Sequence, residues 1–577
     1  MPRHKILIDI TQRLMRRFEE ERDLDVEEEF IAYVVHLLAR DIRRGLLKCD
    51  LNKPRSCEVN RFIDGIIKDY MDPTDPTMTM MKMSWIMKKG KTIDLKYVKE
   101  QYEEKFQEEL DILIEDILQH PETCSKLQLD QLFSKMQVFI VACYNLGSPK
   151  NHVLLKLTAQ ALNSVIGRSD LQNYVLKKKY HRMEYLKRLA ATVGGIVIFN
   201  NDTPEGDRQN VRYVIEDLDM AQTNTEEAFN TALQQASKMR TFCQMAVNEN
   251  IKIDANDMTL THRVPLEGLQ RLNQFSLIYA MFYRCLNTLH LSYENTKYLV
   301  NVEQKRYQCV IAKINDTLSM RTAIESELIF PHFVYLSQVW TNLNNFLNHI
   351  VELNKLREHL ESLIPLEIKS LAESTVAEIQ AKRQRIKSDN VVSFDERMAA
   401  LKVHQTDGNF CSLARADINE FCALTLTITN GLILPAHVQR KLCMNLNISF
   451  GFRDHRFARY AELRFEPFIE AFRKVIFQNA NLALLFHLDE ELLRQELSDF
   501  VEVPSKQIDF CGQTEMVVTN DLSVPNWINV TWNVWDYHRE TIHLADIRKK
   551  QTRDSQTKVN YGQRNAQNQA DSPRREM

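Results

Sequence analysis

The chain contains very little glycine: 14 of its 577 residues, where an average protein has about 7%. Proline is also infrequent, with 15 residues. Both residues interrupt helices, because glycine costs backbone entropy and proline lacks an N–H donor. Their scarcity predicts a predominantly α-helical fold. We expect an elongated multi-helix body, a small α+β module near the C-terminus and an extended tail.

Breaks in the residue pattern divide the chain into five expected regions, somewhat more than the roughly three or four domains that its length suggests. The polar loop at 200–207 is one such break. The regions are an N-terminal helical region (1–120), a second helical region with a basic helix (121–205), a long-helix region (206–404), the α+β module (405–505), and a tryptophan-rich extended tail that is disordered at its end (506–577).

Three segments carry specific local expectations. Residues 421–435 alternate threonine with apolar residues and turn at Asn430-Gly431, which predicts a β-hairpin. Residues 193–199 are rich in β-branched side chains and form either a short strand or a buried helix end. Pro331 fits the first position of a helix, where a missing N–H costs nothing.

Glycine also bears on function, because loops that hold phosphate groups need it for tight turns. The chain has one glycine pair, Gly194-Gly195, and no GxxxxGK[ST] or GxGxxG sequence. We therefore expect no nucleotide-dependent catalysis and no cofactor. The net charge of −3 gives no overall field that would attract nucleic acid or an anionic membrane.

Cysteine usage and hydropathy indicate an intracellular protein without membrane insertion. The eleven cysteines are odd in number and form no CxxC pair, which is typical of reduced thiols. The first residues do not resemble a signal peptide. The longest apolar runs are near ten residues, about half of what a membrane span needs.

No catalytic or metal-binding motif stands out. HExxH and GxSxG are absent, and the sixteen histidines lie far apart in sequence. His437 and His455 fall in the 405–505 module, where a metal-dependent hydrolase remains an alternative; a solvated loop is the other interpretation of His455. We expect no catalytic residues, no metal ligands and no enzyme activity.

A basic amphipathic helix is predicted at 176–189. It carries Lys177, Lys178, Lys179 and Arg182, followed by Lys187 and Arg188, against the single acid Glu184. Such a helix can bind an acidic polymer such as the tubulin surface. Nucleic acid is a weaker candidate, because only Tyr180 and Tyr185 offer stacking surfaces. The helix can also simply be exposed and balance acidic helices elsewhere.

The tail contains three tryptophans within nine residues: Trp527, Trp532 and Trp535. A basic helical run through Arg548 follows, and the remaining residues are polar. Because a polar tail has no core of its own, the tryptophans pack either on a partner or on the body of the same chain. Gln556-Thr557 resembles the motif that a dynein light chain binds by strand addition.

Six sequence blocks, in the same order along the chain, resemble the cilia- and flagella-associated protein 206 family. They cover about 25–557, and the chain is identified as a diverged member. It has Ala436-His437-Val438 where the family has a Gly-x-Pro turn, and a shortened loop at 202–207. The blocks are 30–35 (FIAYVV), 146–149 (LGSP), 195–200 (GIVIFN), 329–337 (IFPHFVYLS) with Trp340 and Thr341, 421–435, and 532–535 (WNVW) with 545–548 (ADIR).

This resemblance implies a non-enzymatic structural protein of the axoneme, the microtubule cytoskeleton of the cilium. The family lies at the base of the second radial spoke on the doublet microtubule. It helps to dock that spoke and an inner-arm dynein, and it supports cilium biogenesis, ciliary motility and sperm motility. The implied location is the axoneme of cilia and sperm flagella and the ciliary basal body. A cytoplasmic helical tether in vesicle traffic remains the alternative without enzyme activity.

Overall fold

The computed structural model describes residues 5–22, 26–39, 41, 56–89, 94–119, 125–202, 210–254, 259–262, 264–319, 325–385, 390–394, 419–443 and 448–489. The chain divides into two units, Met1–Val501 and Glu502–Met577, and every described residue belongs to the first. The prediction of a predominantly helical fold is confirmed for these residues.

The described part contains seventeen helices and five strands. The first nine helices are α1 (Lys5–Arg22), α2 (Glu28–Leu38), α3 (Ser56–Met71), α4 (Pro76–Lys89), α5 (Leu95–Leu118), α6 (Lys126–Cys143), α7 (His152–Val165), α8 (Arg168–Val175) and α9 (Lys179–Asp202). The long helices α10 (Val214–Glu249), α11 (Leu266–Ser319), α12 (Ser326–Ser362) and α13 (Leu366–Arg385) follow. The last four are α14 (Ala423–Ile428), α15 (His455–Leu463), α16 (Phe465–Phe477) and α17 (Ala480–Leu485).

The five strands form two small antiparallel sheets. Strands β1 (Ile251–Asp254), β2 (Thr259–His262) and β3 (Asn390–Ser393) pair in the order β1-β2-β3. Leu260 lies opposite Ile253 on one side and Val392 on the other. Strands β4 (Val438–Cys443) and β5 (Ile448–Phe452) form the second sheet. All five strands are short, four to six residues, and lie in segments that connect helices. Helix packing therefore forms most of the core.

Helices α10, α11 and α12 are 36, 54 and 37 residues long and form the centre of the described part. Helices α10 and α11 run antiparallel, since Lys297 of α11 pairs with Glu226 whereas Gln304, later on α11, donates to Asp219, earlier on α10. The Phe229 ring stacks on the Tyr293 ring with centroids 5.8 Å apart. The hydroxyl of Tyr293 donates to the carbonyl of Gln222 at 2.9 Å. Helices of this length need apolar side chains at helical spacing. They also need few interrupting residues, and the scarcity of glycine meets this second requirement.

The predicted β-hairpin at 421–435 is wrong. Residues 423–428 form α14, and Asn430 and Gly431 adopt positive φ angles of 56° and 113°. The Gly431 N–H donates to the carbonyl of Leu426 at 2.8 Å, which closes the end of the helix. Asn-Gly therefore acts as a helix C-terminal stop here, since left-handed residues serve that purpose as well as a hairpin turn. The strands of the α+β module are β4 and β5 instead.

Two further local predictions, for residues 193–199 and for Pro331, fall within long helices. Residues 193–199 lie inside α9 and are largely buried, so the buried helix end is the correct alternative. The prediction that Pro331 takes the first position of a helix is wrong, because α12 begins earlier, at Ser326, and Pro331 lies inside it.

The glycine pair marks a close approach of α9 to its neighbours. A Cβ atom at position 194 would lie 2.6 Å from Cδ2 of Tyr144. A Cβ atom at position 195 would overlap the carbonyl oxygen of Phe333 in α12. The Nε1 atom of Trp340, further along α12, donates to the carbonyl of Tyr144 at 2.9 Å. Two of the family-like blocks, 195–200 and 329–337, therefore meet at this crossing.

A buried polar cluster joins the two ends of the described chain. The carboxylate of Asp489 accepts hydrogen bonds from the Tyr33 hydroxyl at 2.5 Å and from the Ser84 hydroxyl at 3.3 Å. The ammonium of Lys88 lies 2.5 Å from the same oxygen. Asp489 follows α17, whereas the other three residues belong to α2 and α4, so the cluster holds the C-terminal module against the N-terminal helices.

Replacing Gly195 with alanine should destabilise the protein. Glycine to alanine inside a helix normally stabilises it by up to about 1 kcal/mol. At Gly195 the new methyl group must push α9 away from α12, which should lower the free energy of unfolding by about 2 kcal/mol or more. Urea unfolding followed by circular dichroism measures the change.

The matched control is Gly268→Ala in α11. There a Cβ atom would meet only Val264 Cγ1, at an ordinary distance of 3.6 Å. We expect unchanged or raised stability for this variant. Equal effects of the two substitutions would contradict the role of Gly195 at the crossing.

Candidate functional site

The candidate residues in the tail lie outside the described residues. These are Trp527, Trp532, Trp535, Arg548, Gln556 and Thr557. Their roles stay predictions from sequence. The structure does place the four remaining candidates, Lys177, Lys178, Lys179 and Arg182, at the junction of α8 and α9.

The structure differs from the predicted basic helix at 176–189 in where the helix begins. Helix α8 ends at Val175, and α9 begins only at Lys179. The Lys177 N–H donates to the carbonyl of Tyr174 at 3.1 Å, which forms a tight turn between them. Lys177 and Lys178 therefore project from a turn, and Lys179 from the first residue of α9. All three are exposed.

Arg182 does not lie on the exposed face that the sequence pattern predicted. Its side chain is buried, and Nε donates to the carbonyl of Lys177 at 2.9 Å. The Nη1 atom donates to the carbonyl of Leu118, at the end of α5, at 3.2 Å. Arginine suits this position because its planar group can reach two carbonyls at once. Arg182 thus fixes the turn to α5 and is not an exposed cation.

Two exposed apolar side chains accompany the lysines. Leu176 is 65% exposed and Tyr180 is 73% exposed. Tyr185 lies beside them with the ammonium of Lys177 4.4 Å from its ring centre. The ring of Tyr174 packs below at 5.7 Å from Tyr185, and burial raises the pKa of its phenol. The exposure of Leu176 is not predictable from sequence, because a leucine at helical spacing usually belongs to a core.

We call this surface the α8–α9 corner. It consists of Leu176, Lys177, Lys178, Lys179, Tyr180, Lys187 and Arg188. The acids close to it in sequence are Asp170, whose carboxylate accepts from the Gly167 N–H at 3.1 Å, and the exposed Glu184. Five cations against two acids make the corner positive on a chain whose net charge is −3. Ammonium groups around apolar side chains are suited to binding a carboxylate-rich surface.

The described residues show no arrangement typical of catalysis. Among them, no three His, Cys, Asp or Glu side chains are grouped to hold a metal ion. His437 and His455 are exposed, and burial raises the pKa of the Cys243 and Cys285 thiols to about 12, far from the range of a reactive thiolate. Within the same residues, no helix is long and apolar enough to cross a membrane.

Known proteins resemble this chain along most of its length. A family model named FAP206, described as a domain of unknown function, matches residues 217–493. Similar curated proteins carry the name cilia- and flagella-associated protein 206. The Bos taurus protein is 23% identical along an alignment of 557 positions, gaps included, and the match covers 92% of this chain and 86% of the relative. The Homo sapiens protein is 22% identical over 554 residues, with 93% and 86% covered.

A further relative of the same name, from Danio rerio, is 21% identical along an alignment of 581 positions, gaps included, and the match covers 93% of this chain and 87% of the relative. No solved protein structure matches the chain significantly. The similarity spans nearly the whole chain, as the six sequence blocks do, and confirms the resemblance. The α8–α9 corner precedes the residues of the family model, whereas α11 to α17 fall within them.

Replacing Arg182 with glutamine should reveal a structural role. The shorter neutral amide cannot donate to both carbonyls, so we expect the free energy of unfolding to fall by about 1–3 kcal/mol. Lys178→Gln, in the adjacent turn, should change it by less than about 0.5 kcal/mol. Urea unfolding compares the two variants. An Arg182→Gln variant as stable as the wild type would show that the guanidinium does not hold the turn.

Proposed function

We propose that this chain, which belongs to the cilia- and flagella-associated protein 206 family, is a non-enzymatic docking protein of the axoneme. It helps to hold a radial spoke and an inner-arm dynein on the doublet microtubule, and so supports the motility of cilia and sperm flagella. The proposal draws on similarity over nearly the whole chain to proteins named for cilia and flagella. It also draws on the docking role that the sequence resemblance implies.

The observation that carries the proposal is the α8–α9 corner. Its cations are exposed, its two apolar side chains are unusually open to solvent, and Arg182 holds the turn from beneath. Because the turn is already ordered, little conformational entropy is lost when it binds. The microtubule is an acidic polymer, so we assign the corner to contact with tubulin. Positive charge on the corner would speed the encounter and orient the chain.

The tail would provide a second attachment. We propose that Trp527, Trp532 and Trp535, with the basic run to Arg548, bind a neighbouring protein of the spoke base. Tryptophan and arginine are enriched among the residues that dominate binding energy. Gln556-Thr557 would bind a dynein light chain by adding a strand to its sheet. Only the amino-acid sequence supports these proposed tail contacts.

We expect the protein to stay with the axoneme after membranes are removed. A tagged copy in motile cilia or sperm flagella should remain in the pellet after detergent extraction. It should be released as the salt concentration rises, because salt screens contacts between exposed charges. Immunoblotting of each fraction measures this. Release by detergent alone would contradict the proposal and favour a soluble or membrane-associated tether.

Neutralising the corner should weaken microtubule binding. Lys177→Gln, Lys178→Gln and Lys179→Gln together remove three exposed charges, each contributing up to about 1 kcal/mol. We expect roughly tenfold weaker binding to taxol-stabilised microtubules and a shallower dependence on salt, measured by co-sedimentation.

The control removes three exposed lysines elsewhere, with Lys238→Gln, Lys305→Gln and Lys313→Gln on α10 and α11. It has the same net charge as the corner variant and should bind nearly as well as the wild type. If the control and the corner variant lose the same affinity, binding depends on overall charge and not on the corner.

A further inference from the structure

We propose that this chain associates head-to-tail with a second copy of itself, through helix α15 of one copy and helix α5 of the next. Each helix presents a stripe of like charge that includes one exposed apolar residue. The arginine stripe consists of Arg456, Arg459 and Leu463 on α15. The acidic stripe consists of Glu104, Glu108 and Ile112 on α5.

The arginine stripe is held in place by the buried side of α15. Asp454 caps the helix, its carboxylate accepting from the Arg456 N–H at 2.9 Å. Phe457, Ala458 and Ala461 are buried on the inner face. The outer face leaves Arg456 and Arg459 exposed, and Leu463 is 78% exposed. Within the described part of the chain, neither guanidinium has a carboxylate partner.

Charged groups beside this stripe already have partners. Arg440 on β4 already pairs with Glu462 at 3.3 Å, so that acid is not free to neutralise the stripe. Arg464, which follows α15, donates to the hydroxyl of Tyr460 at 3.1 Å. Planar guanidinium groups bind carboxylates through two hydrogen bonds at once, so an acidic helix surface is the chemistry that suits this stripe.

The acidic stripe is held in the same way on α5. Leu110, Ile114 and Ile117 are buried on the inner face of the helix. The hydroxyl of Tyr102 donates to Glu352 at 2.7 Å, and Lys135 pairs with Asp116 at 2.7 Å, so these contacts tie α5 to α12 and α6.

The outer face of α5 carries the free charges. Glu104 and Glu108 are exposed without a partner among the described residues, and Ile112 is 73% exposed.

The two stripes match in order and in spacing. Counted from the N-terminus, each stripe consists of two charged residues followed by one apolar residue. With a helix rise of about 1.5 Å per residue, Glu104 to Ile112 spans about 12 Å and Arg456 to Leu463 about 10.5 Å. A parallel alignment that places Leu463 on Ile112 brings Arg459 beside Glu108 and Arg456 beside Glu104. Because the two stripes complement each other in charge and in spacing, a second copy of the chain is the partner that fits them.

The overall charge does not oppose this contact, since a net charge of −3 gives little repulsion between copies. The stripes lie on different helices, so each copy offers one donor and one acceptor surface. Such a heterologous contact extends into rows or rings and does not stop at a symmetric pair. Two or three exposed ion pairs bind weakly, so we expect association only at low salt and at high protein concentration.

The test is sedimentation velocity of the full chain at low and at high salt over a range of concentrations. The wild type should show an average mass that rises with concentration at low salt and falls to that of one chain at high salt. Arg456→Glu with Arg459→Glu, and separately Glu104→Lys with Glu108→Lys, should each weaken association about tenfold or more. Circular dichroism confirms that each variant is folded.

Mixing the two variants tests whether association depends on the pairing of these two helices. The reversed helices complement each other, and so do the two unchanged helices, so an equimolar mixture should recover the wild-type association. Lys305→Glu with Lys313→Glu, on the exposed face of α11, is the matched control and should associate like the wild type.

A wild-type chain that stays single at low salt would overturn the proposal. Association that ignores both reversals, or a mixture that fails to recover, would overturn it equally. None of these changes touches the α8–α9 corner, so failure of this inference and failure of microtubule binding are separate results.

Discussion

The approach of α9 to α12 at Gly195 is the contact on which the arrangement of the helical layers depends. No side chain lies between the two backbones at that point, because a Cβ atom would overlap the Phe333 carbonyl. Phe199 packs edge-on against Phe333 at 5.8 Å, and Trp340 ties α12 to the end of α6. These contacts hold α6, α9 and α12 together at the crossing. The α8–α9 corner lies at the N-terminal end of α9, so its position depends on this packing. The corner is positioned by this crossing and held locally by Arg182.

Polar side chains hold the C-terminal module against the long helices at several points. The Asn273 amide of α11 donates to the Gly431 carbonyl at 2.8 Å and accepts from the Ile433 N–H at 2.9 Å. Arg240 pairs with Glu420 at 3.1 Å, while Arg284 donates to the Leu485 carbonyl at 2.6 Å. Each bond satisfies a backbone or charged group that burial would otherwise leave unpaired. Because hydrogen bonds are directional, these contacts add geometric specificity to the apolar packing.

The helical class was predictable from the sequence because helix-breaking residues are scarce along the whole chain. The helix at 423–428 was not predictable, because threonine alternating with apolar residues favours a strand. In the structure Thr425 and Thr427 donate their hydroxyls to the carbonyls of Cys422 and Ala423, at 3.0 and 2.8 Å, and so fit the start of α14. The charge of the α8–α9 corner followed from the sequence, but the burial of Arg182 did not. Its second acceptor, the Leu118 carbonyl, is 64 residues away and becomes a neighbour only through tertiary packing.

A nearly neutral chain that displays separate charged surfaces can distinguish partners by position. Overall charge would attract any acidic polymer to any face, whereas the α8–α9 corner and the arginine stripe on α15 each act over little more than one Debye length, about 8 Å at physiological salt. The arginine stripe lies on a helix whose inner face is buried, and Arg182 holds the turn of the α8–α9 corner, so the backbone positions of both sets of charges are fixed. Fixed spacing lowers the entropy lost on binding and penalises partners whose charges do not match. A docking protein needs this combination, since its task is to hold other molecules at a defined place.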